Sequence, residues 1–125
     1  MERYGECLLI FSALNLKGCN SSSKKYLDDH IDKLINNYNP LGIQTVFLVI
    51  YLNCEKKFFN QYGQEYCEHI KNYTSDQFTS YLKKEFVQEG QYLKCTEYEF
   101  KCNGIVITVY NIIVLLDETL NELCG

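Results

Sequence analysis

Residues 92–116 read YLKCTEYEFKCNGIVITVYNIIVLL, and this stretch decides the fold. Asn103-Gly104 is the favoured pair for a two-residue type I′ turn, because both central positions of that turn need positive φ. Pairing outward from it sets Cys102 opposite Ile105, Phe100 opposite Ile107 and Tyr98 opposite Val109, six apolar residues sharing one face. The other face carries Lys101, Glu99 and Glu97 opposite Val106, Thr108 and Tyr110. A slip of one residue would send every side chain to the wrong face, so the register is well specified. The expectation is a β-hairpin over 92–116 with its apolar face on a core and its polar face in water.

Upstream, Cys7 to Leu14 is a short apolar run that reads as a buried strand, and Asn15 to Ser23 is a polar loop. Ser23 is a good N-cap. After it, Leu27, Ile31, Leu34, Ile35 and Tyr38 fall at helical spacing, with Asp28, Asp29, Asp32 and Lys33 on the opposite side. Asn39-Pro40-Leu41-Gly42 stops that helix. Ile43 to Leu52 has no polar alternation after Thr45, so it reads as a central strand covered on both faces. Residues 55–73 mix Phe58, Phe59, Tyr62, Tyr66 and Tyr73 with polar residues around Gly63, which suggests a second hairpin turning near Gly63. Thr74-Ser75-Asp76-Gln77 is a capping box. It opens a helix with Phe78, Leu82 and Phe86 at i, i+4 and i+8, and Gly90 supplies its stop. Asp117 then caps a short tail helix that turns Leu120 and Leu123 inward. The expected fold class is α+β: one domain over residues 1–125, with a mostly antiparallel sheet of about four to five strands and two main helices packed on one face.

The chain has 125 residues, 46% of them hydrophobic, and a net charge of −4. That is enough chain to bury a core without staples. Arg3 is the one arginine, and the basic clusters are pairs such as Lys24-Lys25, Lys56-Lys57 and Lys83-Lys84. A nucleic-acid binder shows a basic stripe and uses Arg for bidentate contacts, so nucleic acid is not an expected partner. The longest uninterrupted apolar run, Val46 to Leu52, is far short of a membrane span. The bias to Lys, Asn, Ile and Tyr suggests an AT-rich genome, that of a virus, a protist or an AT-rich bacterium.

Seven cysteines, at 7, 19, 54, 67, 95, 102 and 124, are the chemically loaded set. The favoured reading is reduced, mostly buried thiols behaving as small hydrophobes in an intracellular protein. A secreted, disulfide-bearing effector is the alternative, supported by the sequons Asn20-Ser-Ser and Asn72-Tyr-Thr. The odd count leaves one thiol over, and Cys95 and Cys102 point to opposite faces of one strand. No Cys-x2–4-Cys knuckle exists, so neither a metal nor a cofactor is expected, although Cys54, Cys67 and His69 contain ligand types.

No phosphate loop, dinucleotide fingerprint, zinc-protease helix or nucleophile elbow is present. The one catalytic arrangement worth testing is a thiol hydrolase or peptidase with Cys7 as nucleophile and His69 as base; His30 reads as a surface residue. The leading expectation is instead a small non-enzymatic protein-interaction domain, binding a protein partner or a second copy of itself. Eighteen Tyr and Phe residues exceed the needs of a core this size, and such residues are enriched at interfaces. Phe58, Phe59, Tyr62, Tyr66 and Tyr110 are the candidate interface residues.

Overall fold

The computed structural model describes residues 10–37, 43–73, 78–90, 92–102 and 104–117, with backbone alone for 36–37, 78–89 and 102. Five strands and two helices follow in the order β1 (Ile10–Lys17), α1 (Ser21–Asp32, continued by a π-helical turn Lys33–Asn37), β2 (Thr45–Asn53), α2 (Lys56–Lys71), β3 (Phe78–Glu89), β4 (Leu93–Cys102) and β5 (Ile105–Leu116). The strands form one sheet in the order β1-β2-β5-β4-β3. The expected register of the 92–116 hairpin is observed: Cys102 pairs with Ile105, Phe100 with Ile107 and Tyr98 with Val109. Gly104 holds φ +81°, the left-handed region its turn requires. Phe100, Tyr98, Ile107 and Val109 are buried, while Ile105 at the hairpin tip is exposed.

The α+β class holds, but the sheet is mixed, not mostly antiparallel. β1 pairs with β2 and β2 with β5 in parallel, while β5–β4 and β4–β3 are antiparallel. The cause is the path of the two helices. α1 returns the chain from β1 to its neighbour β2. α2 then carries it to the far edge, so the chain comes back into the sheet from outside and β5 fills the place beside β2. Parallel neighbours need such crossovers, whereas the hairpin needs two residues.

Two segments differ in kind from their sequence reading. Residues 56–71 form a helix, not a hairpin; Phe59, Gly63, Tyr66, Cys67 and Ile70 make its buried face. Gly63 lies mid-helix because α2 crosses β4 closely there. A Cβ at that position would stand 2.8 Å from Cδ of Lys94, itself 2% exposed. Residues 78–89 form edge strand β3, not a helix. Phe78, Leu82 and Phe86 are four apart, a spacing that fits one face of a helix and equally one face of a strand. Pairing with β4 decides, since it satisfies backbone groups that β4 would otherwise present at an open edge. The capping box at 74–77 and the tail helix after Asp117 lie outside the described residues.

The caps also sit elsewhere. The N-cap of α1 is Asn20, three residues before Ser23, in a capping box in which the Asn20 side chain accepts from the Ser23 N–H and the Ser23 hydroxyl accepts from the Asn20 N–H. Asp117 caps α2: its carboxylate accepts the Lys56 N–H at 3.0 Å, tying the end of β5 to the start of that helix.

The core lies between the sheet and the helices. Leu27, Ile31, Leu34 and Ile35 meet Leu14, Leu16, Val46, Leu48, Ile50 and Leu52 on one side, and Phe59, Tyr66 and Ile70 complete it on the other. The Tyr66 hydroxyl donates to the Gly18 carbonyl (2.6 Å) and lies 2.7 Å from the Ser23 hydroxyl, fastening α2 to the turn between β1 and α1. Under α2 the core turns polar. Asn111 donates to Thr96 at 3.5 Å, Thr96 touches the Cys67 thiol, and the Tyr98 hydroxyl donates to the Cys67 carbonyl at 2.9 Å.

Because Gly63 leaves no room beside Lys94, Gly63→Val is expected to destabilise the fold by about 1–3 kcal/mol through overpacking. Chemical denaturation checks this, and unchanged stability would mean that α2 does not cross β4 at that point.

Candidate functional site

Strand side chains alternate between faces, and one face of the sheet is packed by α1 and α2. The opposite parity forms a second face that no described helix covers. Row by row across β1, β2, β5 and β4 it carries Phe11, Phe47, Tyr110 and Glu97, then Ala13, Val49, Ile112 and Cys95, then Asn15, Tyr51, Val114 and Leu93. Phe11 is 66% exposed and Tyr51 36%, while Phe47, Val49, Tyr110, Ile112 and Val114 are half-buried by their strand neighbours. Phe11 stacks on Phe47 with ring centroids 4.8 Å apart, and Phe47 on Tyr110 at 5.4 Å, making a row of three parallel rings across three strands. Offset stacking of this kind fixes the rings as a firm platform. β2 is thus central, but among the described residues helices cover one of its faces, not both. Its continuous apolar run serves the core with one parity and this open face with the other.

The five aromatic interface candidates separate. Phe59 and Tyr66 are core residues, 1% and 0% exposed, and offer no surface. Phe58 and Tyr62 stack on each other on α2 at 5.4 Å, half-buried. Tyr110 belongs to the open sheet face. The residues that sequence reasoning missed are Phe11 and Phe47. Their signal was the parity they share with Tyr110, legible only once β1, β2 and β5 are known to be neighbours.

The histidines are both structural links between elements. His69 on α2 pairs with Asp28 on α1 at 2.6 Å, beside a shallow cleft of about 320 Å³ lined by Lys24, Gln64, Glu65, Glu68, His69 and Asn72. Among the described residues no serine, threonine or cysteine hydrogen-bonds His69. Cys7 lies outside the described residues, so the Cys7–His69 pairing is not placed. His30 is not the surface residue expected: it is half-buried and hydrogen-bonds the Ser12 hydroxyl of β1. Among the described residues no carboxylate orients its ring, as a hydrolytic triad requires.

Four described cysteines, Cys19, Cys54, Cys67 and Cys95, are unbridged. Burial pushes each thiol up; Glu65 adds to this at Cys19, Asp117 and Glu55 at Cys54, and Glu97 at Cys95, while at Cys67 the Tyr98 and Thr96 hydroxyls oppose it. A nucleophilic thiol needs the opposite shift. Among the described residues no group of three or more metal-ligating side chains converges, and no helix is long and apolar enough to cross a membrane. No protein-family model, curated protein or solved structure matches the chain.

Burial and the nearby Lys33 charge hold the His30 imidazole below the usual histidine range. The unfolded chain therefore binds a proton at His30 more readily than the folded chain does. Stability is full above the unfolded value of about 6.5 and falls as pH drops through that value toward the folded one. Denaturant unfolding between about pH 7 and 5 is expected to show this loss, and His30→Asn to flatten it. An unchanged slope in the variant would contradict the placement of His30. The four raised thiols are likewise expected to alkylate more slowly in the native protein than after denaturation, measured by intact mass; a fast-reacting Cys19, Cys54, Cys67 or Cys95 would overturn their assignment as inert thiols.

Proposed function

We propose that this chain is a non-enzymatic protein-interaction domain that binds through the open face of its sheet. The single observation carrying the proposal is the stacked row Phe11–Phe47–Tyr110, flanked on the same face by Ala13, Val49, Ile112 and Val114. Isolated exposed apolar residues are ordinary, but a contiguous apolar patch with aromatic anchors is the composition of an interface core. The unbridged state of Cys19, Cys54, Cys67 and Cys95 is compatible with a reduced, intracellular protein. Phe58 and Tyr62 on α2 are too few, and too separated from the row, to form the centre of such a surface.

A benzophenone side chain placed at position 11 tests the proposal against one at position 26. Tyr26 is also an exposed aromatic, but it stands on α1. Irradiation in extract of the source organism is expected to give a saturable adduct of one mass from position 11 and none from position 26. Absence of an adduct at 11, or equal labelling at both, would sink the interaction reading.

A further inference from the structure

We infer that β1 is a docking edge, on which an extended segment of a partner protein pairs as a sixth strand; the inference rests on the interaction reading above. The segment is apolar at alternate positions and acidic at its ends, and it continues the open face beyond Phe11. The backbone of β1 is placed to receive it. The Gly18 N–H donates to the Asn53 carbonyl at 3.0 Å, and the Leu16 carbonyl accepts from the Asn53 side chain at 3.2 Å. In a strand the N–H and C=O of one residue point to the same side, and that side alternates along the chain. Leu16 and Gly18 therefore turn their backbone groups to β2, with Ile10, Ser12 and Leu14 in step. Those of Phe11, Ala13, Asn15 and Lys17 point out of the edge of the sheet, and among the described residues nothing pairs with them.

The two edges of the sheet differ in a way that singles out β1. An unpaired edge is protected from other strands by irregular register and by charge, above all lysine. β3 has both: two register shifts against β4, and Lys83, Lys84 and Glu85 in the middle of its sequence. β1 pairs with β2 through eight consecutive residues without a shift, contains no proline, and holds its one charge, Lys17, at its last position. An added strand lays alternate side chains beside Phe11 and Ala13 on the open face, covering a ring that is 66% exposed. Charge at this edge selects the occupant. Lys17 is exposed at one end of β1. Toward the other end, the Ser12 hydroxyl bonds His30 of α1, and the exposed Lys33 lies one turn beyond, beside His30. The carboxylates of α1 act on its α2 side: Asp28 pairs with His69, and burial, with the charges of Asp32, Asp28 and Asp29, pushes the Tyr73 hydroxyl up. Lysine thus stands at both ends of the edge, complementary to acidic ends on the incoming segment.

Amide hydrogen exchange, read by NMR on the purified chain, tests this with the peptide Glu-Val-Thr-Val-Thr-Val-Glu as the probe. In the chain alone the amides of Phe11, Ala13, Asn15 and Lys17 are expected to exchange fast, and those of Ser12, Leu14 and Leu16 slowly, at every protein concentration. The probe, at about ten times its measured dissociation constant, is expected to slow the outward set about tenfold. Exchanging both Glu of the probe for Lys is expected to weaken its binding about threefold or more. Ala13→Pro removes one outward N–H at a place where an edge strand tolerates proline, and is expected to abolish the slowing. Ala13→Gly keeps that N–H and is expected to preserve it; far-UV dichroism shows whether each variant is folded. No slowing by the probe, or slowing that survives Ala13→Pro, overturns the inference. Outward amides that are already slow in the chain alone overturn it as well. Slowing that grows with protein concentration would put a second copy on the edge, and slowing that does not would put another part of the same chain there. The adduct at position 11 separates the two claims: failure of the probe with an adduct removes the strand pairing and keeps the interaction reading, while failure with no adduct removes both.

Discussion

Side chains along a strand point alternately to the two faces of a sheet, and in this protein both helices lie on the same face. That constraint organises everything else. Val46, Leu48, Ile50 and Leu52 are sealed beneath α1 and α2, while Thr45, Phe47, Val49 and Tyr51, interleaved with them, face the other way. A sheet in such an arrangement commonly offers a polar second face to water. Here the middle of the second face is apolar, from Phe11, Ala13, Phe47 and Val49 to Tyr110, Ile112 and Val114, and its margins are polar through Asn15, Lys17, Thr45, Asn53, Thr108, Glu97, Glu99 and Lys101. That composition is the basis of the proposal that the face binds a protein.

The helix-covered side is built for permanence. Tyr66 ties α2 to the β1–α1 turn, Asp117 ties the end of β5 to the start of α2, and His69–Asp28 ties the helices to each other. The two histidines, both among the described residues, take part in this structural work. The histidines join elements, and burial makes the described thiols poor nucleophiles. On the other face Phe11, Ala13 and Tyr51 are exposed.

The hairpin over 92–116 was legible because local turn chemistry and strand alternation agree there, and neither depends on distant residues. Residues 24–35 were legible for the same reason, although two good caps, Asn20 and Ser23, lie three apart and the outer one is used. The failures share a physical cause. Gly63 reads as a turn until Lys94, thirty-one residues away, is seen beneath it. The four-residue spacing of Phe78, Leu82 and Phe86 satisfies two periodicities, and the choice between them is made by pairing with β4. The parallel pairing of β2 with β5 joins residues about sixty apart, and no local signal announces it. The open face inherits that difficulty: Phe11, Phe47 and Tyr110 come from three separate stretches and form a row only through long-range register. A solid apolar run such as Val46–Leu52 reads as doubly covered, whereas the described helices cover one of its faces.

Carbene footprinting of the purified chain tests the central claim most directly, because it reads both faces of the sheet residue by residue. Phe11, Ala13 and Tyr51 are expected to be labelled in the native protein, while Leu14, Leu48 and Ile50 beneath the helices are labelled only after denaturation. Labelling of Leu48 and Ile50 in the native protein, or protection of Phe11 and Tyr51 equal to theirs, would contradict the account.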